Sequence, residues 1–201
     1  MTRPPFAVTY DYRCPFARNA HEHLIEALRA GAGWEVTFLP FSLTQSHIDE
    51  GATPVWERPD KSADLLAVEA GLVVRDRFPD RFFDVHLGLF AARHEDARDL
   101  RSEQVVAEVL AAAGVEADDV FAAVAGGGPR HAFRRAHVAA VQDHQVFGVP
   151  TFIAGDRCAF VRVMTRPQAD GGEGTATIER ILDLLLEHPE INEFKHTSID
   201  R

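Results

Sequence analysis

YDYRCPFARNAHEHL, residues 10–24, carries one cysteine between an apolar, aromatic-rich run and a segment with helical spacing. The run from Phe6 to Tyr12 reads as a strand. Pro15 suits the first position of a helix, where a missing N–H costs nothing, and Leu24, Ile25 and Leu28 keep the helical period until Gly31-Ala32-Gly33 ends it. A second strand reads from Glu35 to Phe41. Strand, helix and strand with short connections make a βαβ unit with parallel strands, both ending on one edge of the sheet. Cys14 therefore belongs at a helix start on that edge.

Beyond this unit the pattern turns helical from about Asp60 to Phe147, with apolar positions such as Leu65, Leu66, Leu72 and Val73, then Phe82, Phe83, Leu89 and Phe90. Pro79, Gly114 and Gly126-Gly127-Gly128-Pro129 punctuate it, and four or five helices account for the length. After Gly148 a hairpin pattern appears, Thr151 to Ala154 and Cys158 to Val163 around Gly155-Asp156. A last helix is expected from about Thr175 to Glu187, ahead of Pro189. The expected organisation is an α/β domain from residues 1–58 and 147–201, interrupted by an all-helical insertion over 59–146.

The 201 residues suit one such interrupted domain, and their 21 Lys and Arg against 31 Asp and Glu give a formal charge of -10. No basic cluster resembles a track for a phosphate backbone, so nucleic acid is not an expected partner. The N-terminus lacks the apolar stretch of a signal peptide and no segment nears 18 uninterrupted apolar residues, which reads as cytoplasmic and not membrane-bound. Two cysteines, Cys14 and Cys158, are too few for a disulfide scaffold or a cysteine zinc site. His21 and His23 lie two apart, about 200° around a helix, and cannot chelate one ion; His137 and His144 are two turns apart and read as capping or surface residues. No metal is expected.

With Pro15 as the first helical residue, Cys14 becomes the N-cap, its sulfur facing the free N–H groups of Phe16 and Ala17. Arg13 and Arg18 add positive charge and Asp11 opposes them weakly, so the thiolate fraction is expected to be raised. The second signal is GVPTFI, residues 148–153, where Pro150 must start a strand or occupy a special turn, and where a cis peptide is affordable.

Cys14-Pro15-Phe16-Ala17 after the first strand, and Gly148-Val149-Pro150-Thr151-Phe152 about 130 residues later, together resemble the two signatures of the DsbA family. The resemblance implies a thioredoxin-like fold with an inserted helical domain, a cis Pro150 facing Cys14, and a Val149 backbone that pairs with a bound thiol or peptide. One position departs from the family pattern: Ala17 stands where the usual dithiol motif has its second cysteine. Cys158, more than 10 Å along the hairpin, is not a substitute, and is expected to pack inside the sheet.

Loops at the strands' C-terminal edge should gather around the thiol. They nominate Gln45, His47 and Trp56 from the loop Ser42 to Arg58, and Met164, Arg166 and the Asp170–Gly174 loop beyond the hairpin. Phe16 and Trp56 could form an apolar wall for a small thiol, and Arg166 a partner for its carboxylate. The resulting expectation is a thiol–disulfide oxidoreductase with Cys14 as the catalytic residue, acting on a protein or peptide disulfide or a small thiol. It has no tightly bound cofactor, and glutathione or mycothiol is the co-substrate that releases the cysteine. A homodimer is left open. Two alternatives stand beside it: an enzyme like the kappa-type glutathione transferases and 2-hydroxychromene-2-carboxylate isomerases, or a non-catalytic binding module.

Overall fold

The structure is a computed structural model, and it describes residues 3–168 and 172–196. Four strands form one sheet in the order β2-β1-β3-β4, with β1 at Phe6–Tyr10, β2 at Val36–Pro40, β3 at Thr151–Ala154 and β4 at Arg157–Phe160. β1 and β2 run parallel, Phe6 opposite Val36 and Tyr10 opposite Pro40, while β3 is antiparallel to both β1 and β4. Parallel pairing needs a crossover, and α1 (Pro15–Arg29) supplies it. Cys14 and Phe41 thus leave the sheet at the same edge.

α1 packs against α8 (Glu173–Glu187), which also touches β4. The two helices come so close that a β-carbon on Gly174 would lie 2.5 Å from the carbonyl oxygen of His23. Only glycine fits there without moving backbone. α8 begins two residues earlier than its apolar period suggests, so Glu173 and Gly174 of the Asp170–Gly174 loop nominated from the sequence lie in its first turn, while residues 170 and 171 lie outside the described residues. β3 spans Thr151–Ala154 as expected, whereas β1, β2 and β4 are each shorter than their apolar runs. The longest difference is at β4, which stops at Phe160 although the apolar residues continue to Val163.

After β2 the chain makes a short helix, α2 (Leu43–Ser46), and two 3-10 turns, then five helices: α3 (Ser62–Arg77), α4 (Pro79–His94), α5 (Glu103–Ala112), α6 (Ala117–Ala125) and α7 (Gly128–His144). Pro79 opens α4 and Pro129 sits in the first turn of α7, behind Gly127 in the left-handed conformation at φ +75°. α3 packs on α4, α6 and α7, and the buried carboxylate of Glu69 on α3 takes a 2.6 Å bond from Arg130 on α7. The helices meet the sheet through α4 on α1 and α7 on β2. Phe82, Phe83 and His86 of α4 ring Phe38 in the middle of β2, and His137 of α7 stacks on Phe41 at 4.3 Å. The helical layer therefore covers one face of β1–β2 and reaches the C-terminal edge where Cys14 lies. Among the described residues no helix is long and apolar enough to cross a membrane.

Candidate active site

Cys14 is the N-cap of α1, with extended backbone (φ -94°, ψ 117°), and its Sγ accepts from the N–H of Ala17 at 3.5 Å. The Val149–Pro150 peptide bond is cis. Val149 presents its carbonyl to the same sulfur, and the Cys14 thiol donates to it across 3.3 Å. Thr151 fixes this loop, its N–H bonded to Thr9 Oγ1 of β1 and its hydroxyl donating to the carbonyl of Gly148, both at 2.8 Å. Cys14, Pro15, Phe16, Val149 and Pro150, five of the residues singled out in the sequence, thus form one local arrangement from segments 135 residues apart.

The thiol is only 7% exposed. Burial pushes its pKa above the ordinary value; the N–H groups of Ala17 and Phe16 pull it down, and the charge of Asp11 raises it further. This corrects the sequence expectation of an enriched thiolate. The expected positive charge is spent elsewhere: Arg13 is bound to the buried Asp11 at 2.6 Å, and Arg18 to Glu22 and Glu95 at 2.9 and 2.7 Å. Each arginine is neutralised before its field reaches the sulfur.

The outer nominees have other commitments. Trp56 is buried against Phe133 and His137 of α7 and forms part of the contact between the loop and the insertion. His47 is exposed and closes α2, its Nδ1 donating to the carbonyl of Leu43 at 2.5 Å. Arg166 grips Glu22 at 2.6 Å and Glu95 at 3.0 Å, so the guanidinium expected to pair with a ligand's carboxylate is already paired with two carboxylates of the protein. Gln45 accepts from the N–H of Val55 and shapes the loop. None of these four is hydrogen-bonded to Cys14 or Val149 among the described residues. Phe16 is half-buried, and the guanidinium of Arg162, which the sequence did not nominate, sits 5.7 Å over its ring.

Cys158 also departs from expectation. It is exposed on β4, the last strand of the sheet, where Arg157 turns inward to the carbonyls of Leu185 and Leu186 and its neighbour must turn outward. His137, read as a capping or surface residue, is buried, accepts the N–H of Ser42 at 3.2 Å and is held neutral by burial, its pKa pushed down to about 4.

Sequence reasoning missed a buried polar chain beside the Cys14 turn. His21 Nε2 faces the carbonyl of Thr9 at 3.3 Å, His86 Nε2 faces His21 Nδ1 at 2.9 Å, and the Tyr12 hydroxyl faces His86 Nδ1 at 2.9 Å. A carbonyl only accepts, so His21 donates from Nε2 and accepts at Nδ1; His86 then donates from Nε2 and accepts from Tyr12. Burial holds both histidines neutral, His21 near 4 and His86 well below its ordinary value. His94, also on α4, donates to the Tyr12 carbonyl at 2.9 Å. α3 closes on Tyr12 at Gly71, where a β-carbon would lie 2.6 Å from the Tyr12 hydroxyl. Tyr12, two residues before Cys14, is therefore clamped at both ends by the insertion. The signal available in the sequence was a histidine on the apolar face of α4, one turn from Phe82 and Phe90.

This architecture defines a class: a thioredoxin-like sheet interrupted by a helical domain, with an N-cap cysteine facing the residue before a cis proline. A family model described as a DSBA-like thioredoxin domain matches residues 80–179, a span that includes Pro150 and stops short of Cys14. No curated protein matches the chain. Among solved structures, the probable DsbA oxidoreductase of Streptomyces coelicolor aligns with a TM-score of 0.63 at 15% identity, over 98% of this chain and 94% of that one. MdbA, a thiol-disulfide oxidoreductase from Actinomyces oris, aligns with a TM-score of 0.62 at 14% identity, over 90% and 79%. Pseudomonas aeruginosa DsbA gives 0.52 at 20%, over 90% and 83%. At these identities the structural likeness is one of fold. With the family model, it places the chain in the DsbA family of thioredoxin-fold proteins.

Proposed function

We propose that this protein is a thiol–disulfide oxidoreductase that works with one cysteine, Cys14, and is returned to its resting state by an external small thiol such as glutathione or mycothiol. The observation that carries the reading is the Cys14 sulfur held between the N–H of Ala17 and the carbonyl of Val149. Ala17, fully buried, occupies the position from which a second thiol would resolve the reaction.

In the resting site the Cys14 thiol keeps its proton and directs it at the Val149 carbonyl. Loss of that proton to a solvent base leaves a thiolate that Ala17 and Phe16 N–H groups stabilise. The thiolate attacks one sulfur of a substrate disulfide; a bond forms between that sulfur and Cys14, the substrate S–S bond breaks, and the departing thiolate takes up a proton. An external thiolate then attacks the mixed disulfide and releases Cys14 as the thiolate, so one disulfide has been exchanged for another with no net electron change. A thiol with a raised pKa has a small thiolate fraction, but the thiolate is a strong nucleophile and a poor leaving group. The mixed disulfide on Cys14 should therefore persist until external thiol arrives.

The test is mass spectrometry of the Cys158→Ser chain incubated with a glutathionylated peptide at pH 7. A stable adduct on Cys14, released by added glutathione and absent in Cys14→Ser, is the expected result. Exchange activity that survives Cys14→Ser would overturn the proposal.

A further inference from the structure

We propose that the groove between the open edge of β2 and the start of α4 binds a small monocarboxylate with a flat apolar body. The groove has a volume of about 530 Å³, within the range of small-ligand sites, and it lies where the sheet meets the helical insertion. Phe38 and Phe82 form its buried floor, and Trp34, Val36 and Phe83 are half-buried walls that keep apolar surface open to solvent. Cys14, Val149 and Pro150 do not line it, so the site is separate from the thiol.

Charge selects the occupant. The chain carries a formal charge of -10, yet no carboxylate lines this groove, and Arg75 is the one charged residue that does. Arg75 is anchored: Nη1 donates to the carbonyl of Phe38 at 3.2 Å and Nε to Asp76 at 2.8 Å. Nη2 has no partner among the described residues. Asp76, outside the groove, already balances the charge of Arg75, so what the groove offers is the directed Nη2 donor, which suits a single carboxylate, whereas a phosphate would need several more donors. The apolar walls suit a planar hydrocarbon body, which edge-to-face and stacked contacts with aromatic rings favour. A peptide added as a further strand is disfavoured, because the Phe38 carbonyl that it would pair with at the open edge already accepts from Arg75.

Isothermal titration of the full chain with 2-naphthoate and with its neutral counterpart 2-naphthalenemethanol tests the proposal. The expected result is one site for the acid with a Kd on the order of 10⁻⁴ M and binding of the alcohol at least about tenfold weaker. Arg75→Gln should bring the acid down to the affinity of the alcohol. Phe83→Ala, at a half-buried position that leaves Arg75 in place, should weaken both ligands about fivefold or more by removing a wall. Quenching of Trp34 fluorescence on binding, lost in Trp34→Phe, would locate the site. Absence of binding at about 5 mM acid, equal affinity for acid and alcohol, or unchanged binding in both Arg75→Gln and Phe83→Ala would overturn it.

Discussion

Replacing His86 by phenylalanine keeps an aromatic ring where His86 now touches Tyr10, Tyr12, Phe38, Phe82 and Phe90, and removes only its two polar links. The Tyr12 hydroxyl then loses its acceptor and His21 Nδ1 its donor, both in a region closed to water. An orphaned buried polar group costs about 1–3 kcal/mol, so the substitution should destabilise the fold by roughly 2–5 kcal/mol. Tyr12→Phe alone orphans a single atom, His86 Nδ1, at a cost of about 1–3 kcal/mol. In the double variant neither the Tyr12 hydroxyl nor His86 Nδ1 remains to be orphaned and only His21 Nδ1 is left unpaired, so the loss should fall short of the sum by about 2–5 kcal/mol. Urea unfolding followed by far-UV circular dichroism measures all three, with an unchanged m value showing that the unfolded state is the same. Alkylation of Cys14 by iodoacetamide, in a Cys158→Ser background, should also change in rate, because Tyr12 is held by α4 two residues from the thiol. A cost below about 1 kcal/mol for His86→Phe, or strict additivity of the pair, would refute the directed hydrogen-bond chain.

Ala17→Cys places a second thiol one turn from Cys14 and should yield an intramolecular disulfide on oxidation, read as a loss of two mass units and of free thiol; the reduced variant should release substrate thiol from the Cys14 mixed disulfide without added small thiol, one equivalent per protein, and end as the Cys14–residue 17 disulfide. Gly174→Ala forces a methyl to within 2.5 Å of the His23 carbonyl, and the resulting separation of α1 and α8 should outweigh the gain in helix propensity, lowering stability by about 1–2 kcal/mol and Tm by roughly 3–6 °C. Stability should also fall in acid. His21 titrates near 4 in the folded chain against an ordinary 6.5, so between these values the unfolded chain binds the proton and the folded chain does not; the contribution is complete above pH 6.5 and lost as pH falls towards 4, by about 3 kcal/mol. His137, also near 4, acts in the same direction. A urea midpoint that stays level from pH 7 to 4.5 would count against both burials.

Local sequence determined what depends on neighbours in the chain. Pro15 after Cys14 dictates a helix start, because proline needs no N–H partner there and presets φ; Pro79 and Pro129 mark α4 and α7 for the same reason. The apolar runs around residues 6–12 and 35–41 with one helix between them force a parallel pair, so the edge on which Cys14 emerges was legible, as was the companion loop at Val149–Pro150. Composition could not say which charges would be left over. Arg13 and Arg18 looked available to the thiol, and only the folded chain shows them bound to Asp11, Glu22 and Glu95, leaving burial to decide the pKa of Cys14. The orientation of Cys158 depends on β4 being the last strand with its inner face turned to α8, which no period-two pattern of four residues can fix. His21 and His86 are 65 positions apart, and their pairing exists only because α4 folds back over β1 and α1. Helix caps and strand order follow from forces acting over a few residues; pKa, exposure and the buried chain follow from which surfaces the insertion covers, and that is set by packing across the whole fold.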